Sequence, residues 1–217
     1  AESVKIRAFV QRFMYKRYDS PNNMYIKTLM AEDLNGDLKD NTGGLNCGKP
    51  AGYIKDFQAL PDDTKALIKQ IKRVRVILGE VQLVNAVDGD GNEVDTDVQP
   101  FIWEIDNRDA FKTMGEPFTQ MAKQRRLPVQ HWIDCGSDER SIPTGAKFYV
   151  PTASVDMTDS IDLSDTDQGR FSDFIEWINN YNEYIVSSWN DKRSQKMDAE
   201  DEALVEDFID IESDGDE

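Results

Sequence analysis

Residues 4–15 alternate strictly enough to demand an extended strand. Val4, Ile6, Ala8 and Val10 fall on one side, and Lys5, Arg7, Phe9, Gln11, Phe13 and Tyr15 fall on the other. A strand with one apolar side must lay that side on other elements, so the chain has to build a sheet. The second side combines cations and rings. Asp19-Ser20-Pro21-Asn22-Asn23 is a turn by composition, and it sends the chain back over residues 24–30 as a second strand. A Gly/Asn/Asp-rich loop follows over residues 32–50.

A helix is expected from Leu60-Pro61-Asp62-Asp63 onward, with acids in its first turn and Leu67 and Ile71 facing inward. It leads directly into a strand in which Val74, Val76 and Leu78 give way to Val81, Leu83 and Ala86, a change of phase near Gly79 that a bulge would produce. Residues 101–105 read as its partner, with a long hairpin loop over 88–99. Asp106 or Asn107 caps a helical region at 107–126, interrupted at Gly115-Glu116-Pro117, where proline suits a new first turn. Strands are expected at 129–135 and 147–150. A third helix over 168–189 carries Phe171, Phe174, Ile175, Ile178, Ile185 and Trp189 on one face. There is no internal repeat. This pattern predicts an α+β fold, an OB-like antiparallel β-barrel elaborated with about three helices over residues 1–192, followed by a disordered acidic C-terminal tail over 193–217.

The tail explains most of the charge. Of a net −17, the last twenty residues hold eleven carboxylates and no Lys or Arg, leaving 31 acids against 25 bases in the rest. Ten Phe, seven Tyr and four Trp among 217 residues supply enough apolar surface for one core. No run approaches the ~18 apolar residues that span a bilayer, and the first residues lack a signal-peptide pattern, so a cytoplasmic protein with no membrane association is expected. Cys47 and Cys135 are expected as two reduced, partly buried thiols.

Catalytic constellations are scarce. A single histidine, His131, lies in a strand-like run and reads as structural, and no phosphate-cradling glycine motif occurs. Asp88-Gly89-Asp90-Gly91-Asn92 alternates oxygen ligands as a calcium loop does, but Glu93 stands where glycine is needed and Gln99 where a bidentate glutamate belongs. Asp33-Leu34-Asn35-Gly36-Asp37 is similarly incomplete. Glu104, Asp106 and Asp109 could assemble an acidic metal cluster, although acids at a sheet edge that cap a helix explain them equally well. The chain is therefore expected to be a binding protein with no metal, no cofactor and no catalytic residue.

The bases point to a partner. Lys5, Arg7, Arg12, Lys16, Arg17 and Lys27 cluster near the start, Lys65, Lys69, Lys72, Arg73 and Arg75 in the middle, and Lys123, Arg125 and Arg126 further on. Single-stranded DNA needs cations spaced along phosphates and rings on which bases stack. Phe9, Phe13, Tyr15 and Tyr18 are interleaved with the first cluster and supply the rings. The alternative is a half-buried strand whose rings pack inward and whose cations are simply solvated. A flexible carboxylate tail can compete for a basic groove or recruit other proteins.

Acidic chain, OB-type core and carboxylate tail together resemble the single-stranded DNA-binding proteins of tailed bacteriophages, the T7-like type in particular. That resemblance implies sequence-tolerant binding during DNA replication or recombination in the host cytoplasm, with replication proteins contacted through the tail; a homodimer is compatible with it. The family's tail usually closes on an aromatic residue. Here Phe208, flanked by Asp207 and Asp210, is the candidate docking residue, and the chain ends Ser213-Asp214-Gly215-Asp216-Glu217. Two other classes compete: an acidic interaction protein or nucleic-acid mimic that inhibits a basic partner, and a virion structural subunit.

Overall fold

The computed structural model describes residues 1–50, 52 and 54–213, with the side chains of 199 and 201–213 outside that description. The strands are β1 (Ser3–Asp19), β2 (Met24–Lys27), β3 (Lys72–Val84), β4 (Ala86–Val87), β5 (Glu93–Val94), β6 (Gln99–Ile105), β7 (Ile133–Ser141) and β8 (Lys147–Val155). The helices are α1 (Asp62–Gln70), α2 (Arg108–Thr113), α3 (Glu116–Lys123) and α4 (Asp165–Ser213). Single 3-10 turns occur at Asn46–Gly48 and Pro128–Gln130. The class is α+β, and no helix among the described residues is long and apolar enough to cross a membrane.

The main sheet runs in the order β6-β3-β1-β7-β8, with β2 also paired to β1. The pairs β1–β2, β1–β7, β3–β6 and β7–β8 are antiparallel. Between β1 and β3, the Glu2 amide donates to the Val84 carbonyl and the Gln11 side chain meets Arg75, which sets that pair antiparallel as well. The order ends at β6 and β8, and no closed barrel is formed among the described residues.

The chain divides into two compact units. The first comprises Ala1–Met14, Met30–Asp33 and Lys72–Asn179; the second comprises Tyr15–Leu29, Leu34–Ile71 and Asn180–Glu217. Strand β1 and helix α4 contribute residues to both.

In the first unit Ile6, Ala8, Ile77, Ile105, Ala110, Met114, Met121 and Ile133 form the core. Helix α2 lies against both β3 and β8, three places apart in the strand order, so the sheet curves around it. Asn107 caps α2 by accepting from the Asp109 and Ala110 amides, and Pro117 opens α3, as the sequence predicts. Strand β3, by contrast, has no bulge at Gly79. It is one continuous strand, and its run of buried residues from Val74 to Glu80 arises because both of its faces are covered. Gly79 stands against the carbonyl of Arg7 in β1, where any Cβ would collide with backbone.

In the second unit the loop after β2 is built around Asp40, which is buried and accepts from the Thr42, Gly44 and Cys47 amides and from the Thr42 hydroxyl. The α4 segment of this unit is anchored by two bonds: the Tyr181 hydroxyl donates to the Thr28 carbonyl, and the Trp189 indole donates to the Gly44 carbonyl. Helix α4 continues to Ser213, well beyond the expected end at residue 189 and through much of the segment expected as a disordered tail. Ala, Leu, Glu and Lys in that stretch are good helix formers, and no Gly or Pro interrupts it before Gly215.

Candidate nucleic-acid interface

In the first unit, the expected basic and aromatic platform is largely consumed by packing. Arg7 is 6% exposed, and its guanidinium donates to Asp167 at 2.7 Å, to Glu80 at 3.3 Å and to the Val129 carbonyl at 2.6 Å. Glu80 also pairs with Arg170. Arg7 therefore balances two buried carboxylates, which corrects the expectation that it lies on an open face. That bond to Arg7, first among the causes, holds the Asp167 carboxyl below its ordinary range against the opposing pull of burial.

Phe9 is half-buried and meets Phe174 edge-on, with ring centroids 5.7 Å apart. A cavity of about 410 Å³ lies beside it, lined by Val129, Leu163, Phe171 and the acids Asp165 and Asp167, a rim that repels phosphate. Lys5 pairs with Asp134 at 3.6 Å, and Arg12 pairs with Glu32 at 3.9 Å.

The structure does bring one cationic stretch together with rings in this unit. The guanidinium of Arg75 lies 5.1, 4.7 and 5.9 Å from the ring centroids of Phe13, Phe111 and Phe118. It also donates to the Phe111 carbonyl and to Gln11. Burial, and secondarily the charge of Arg73, lowers its pKa to about 10, so it remains charged at neutral pH. Arg75 is only 8% exposed and serves as the keystone of this cluster, whereas Arg73 is exposed and lies 5.2 Å over the Phe111 ring. Lys72 is exposed and pairs with Asp106 at 3.2 Å, and Lys123, Arg125 and Arg126 are exposed at the end of α3 and just after it.

In the second unit, Tyr15 is buried. Its hydroxyl donates to the Leu34 carbonyl and its amide to the Thr28 hydroxyl, so its ring too is unavailable for stacking. Arg17 donates to the Cys47 carbonyl at 3.3 Å and lies 3.9 Å from Asp19. Lys69 is exposed at the end of α1.

Two open rings of this unit sit together at the β1–β2 hairpin, and Tyr184 on α4 is exposed as well. Tyr18 and Tyr25 are directly opposite across the strands, 45% and 52% exposed, with ring centroids 5.2 Å apart, and the Lys16 ammonium lies 5.1 Å over Tyr25. Asn41 ties the hairpin to the Asp40 loop, donating to the Tyr25 carbonyl and accepting from the Lys27 amide.

Past that loop stands Trp189, with the Lys39 ammonium 4.1 Å and the Arg193 guanidinium 5.2 Å from its ring centroid. Tyr25, Lys39, Trp189 and Arg193 escaped the sequence reading as binding residues. Register alone brings Tyr25 opposite Tyr18. The stripe formed by Trp189, Lys192, Arg193 and Lys196 at i, i+3, i+4 and i+7, however, was visible in the residue spacing.

Phe208, Asp207 and Asp210 lie where side chains are outside the described residues. Among the described residues no group of three or more His, Cys, Asp and Glu is placed to hold a metal ion. His131 is buried, with Nδ1 2.9 Å from the Asp159 carbonyl. Both cysteines are free thiols. No family model, curated protein or solved structure matches the chain.

Proposed function

We propose that the chain is a non-catalytic, sequence-tolerant single-stranded DNA-binding protein. The observation that carries this reading is the Tyr18–Tyr25 pair, two half-exposed rings set side by side with a lysine ammonium over one of them. Unstacked bases offer a π-face of any sequence, and rings next to cations engage base and phosphate together, so single strands are favoured over duplexes, whose bases are already stacked. Arg73, exposed on the Phe111 ring, extends the same chemistry in the other unit. An OB-like sheet, of the kind that binds oligonucleotides across one face, is the fold analogue that accompanies the proposal. Recruitment of replication proteins by the acidic segment at 198–217, and its competition for the basic surface, belong to the same reading.

Competition between a labelled oligo-dT and unlabelled single-stranded or duplex DNA tests it. Displacement by single strands at concentrations where duplex fails is expected. Equal displacement by both, or no binding of the oligo-dT, overturns the proposal. An acidic interaction protein with no DNA affinity is the competing outcome, favoured by the net charge of −17.

A further inference from the structure

We infer that the face of α4 bearing Lys192, Arg193 and Lys196, together with the Thr42–Gly43 turn, is a second DNA contact that takes phosphodiester groups; this rests on the single-strand reading above. The three cations line a small cleft of about 140 Å³ with Thr42, Gly43 and Glu200. The cleft is a built feature. Gly43, at φ +82°, brings the turn so close to the helix that a Cβ there would lie 3.2 Å from the Lys192 Cβ. The Trp189 indole fastens the other side of the turn through its 2.9 Å bond to the Gly44 carbonyl.

The charges of this cleft are held in place without being cancelled. Arg193 and Lys39 rest on the Trp189 ring, an attraction that positions a cation while leaving its full charge for an incoming anion. Lys192 contacts the neutral Gln195 at 3.3 Å. Of the acids, Glu200 reaches Lys196 only at 3.7 Å with both side chains largely exposed, and Asp40 is buried inside the loop and occupied by its own amides. Among the described residues three cations and one carboxylate therefore line the cleft, with Lys39 on the Trp189 ring beside it, in a chain whose net charge is strongly negative.

A polyanion is the ligand this arrangement suits. Two ammonium groups and a guanidinium spaced along one helix face match successive phosphates better than they match a lone carboxylate, which the Arg193 fork alone would satisfy. The turn supplies a wall and not donors, since its amides already bond to Asp40. The hydrogen bonds of Asn41 to Tyr25 and Lys27 join this turn to the hairpin that carries the exposed tyrosines, so one strand engaging both sites crosses a single short loop.

The test compares the full chain with its K192Q/R193Q/K196Q variant, measuring oligo-dT affinity against salt concentration. Each phosphate contact contributes about −0.7 to the slope of log K against log salt for a single strand. The variant is expected to lose roughly two of these, with affinity down at least tenfold near 50 mM salt and an unchanged circular dichroism spectrum. A K192R/K196R variant, which keeps the charge, is expected to bind as the parent does. If the parent binds and the glutamine variant keeps its slope, the cleft inference falls while the single-strand reading stands. If the parent fails to bind, both fall.

Discussion

Tyr18 and Tyr25 lie opposite each other across the β1–β2 hairpin, with ring centroids 5.2 Å apart, and both stay about half exposed. A pair of this kind is worth a few tenths to about 1 kcal/mol to a hairpin, and burying the rings inside the protein would have offered more. Their exposure is the feature that a DNA contact accounts for. Tyr25→Ala and Tyr18→Ala are each expected to weaken oligo-dT binding by about 1–3 kcal/mol, the size of one lost base stack, while Tyr25→Phe retains it. Fluorescence anisotropy with labelled oligo-dT measures the loss, and parental affinity in both alanine variants would remove the hairpin from the interface.

Arg7 makes a different prediction because it is buried. Replacing it with Met leaves Glu80, 3% exposed, and Asp167 with less compensating charge, a loss typically of about 3–5 kcal/mol when one partner of a buried pair is removed. For a chain of this length that corresponds to a Tm lower by roughly 6–20 °C. Thermal unfolding checks it. A shift of only a degree or two would place Arg7 in a solvated environment, as the strand alternation alone suggests.

Acid should dissolve the same network. The folded-state pKa of Asp167 is depressed by its bond to Arg7, so its stabilising contribution is complete above the unfolded value near 4 and is lost as pH falls through the folded value. Urea midpoints measured between about pH 5 and 2 are expected to fall more steeply for the parent than for Asp167→Asn, and the two chains should converge at the acid end. Parallel curves would mean that Asp167 is not coupled to Arg7.

The thiols should be slow to react. Burial, reinforced by Asp40 and only partly offset by Arg17, raises Cys47 to about 12, and burial with the charge of Asp134 raises Cys135 to about 11. Because the thiolate is the reactive species, modification with a disulfide reagent at pH 8 is expected to be far slower than for the urea-unfolded chain. Rapid labelling of both sites in the folded protein would contradict their burial.

Local chemistry made much of the fold legible in the sequence. The Asn107 cap, Pro117 at the start of α3 and the 3.6-residue stripe of α4 each act within a turn or two, and each appears where the residues predict it. Non-local effects were not legible. Gly79 resembles a bulge in isolation and is instead a close crossing of β1 and β3, and Arg7 looks solvated until Glu80 and Asp167 arrive from distant positions. The candidate site follows the same rule. Lys16 and Tyr18 could be named from one strand, while Tyr25 required the register and Lys39 the tertiary position of Trp189.

On the proposed reading, an acidic chain binds single strands through locally concentrated positive charge beside open rings. Anisotropy titrations of a labelled oligo-dT with the full chain at about 50 and 200 mM salt measure whether charge holds the strand. Binding that weakens at least tenfold over that range, as release of counterions from several phosphates requires, is the predicted result. Undetectable binding at 50 mM, or an affinity indifferent to salt, would contradict it.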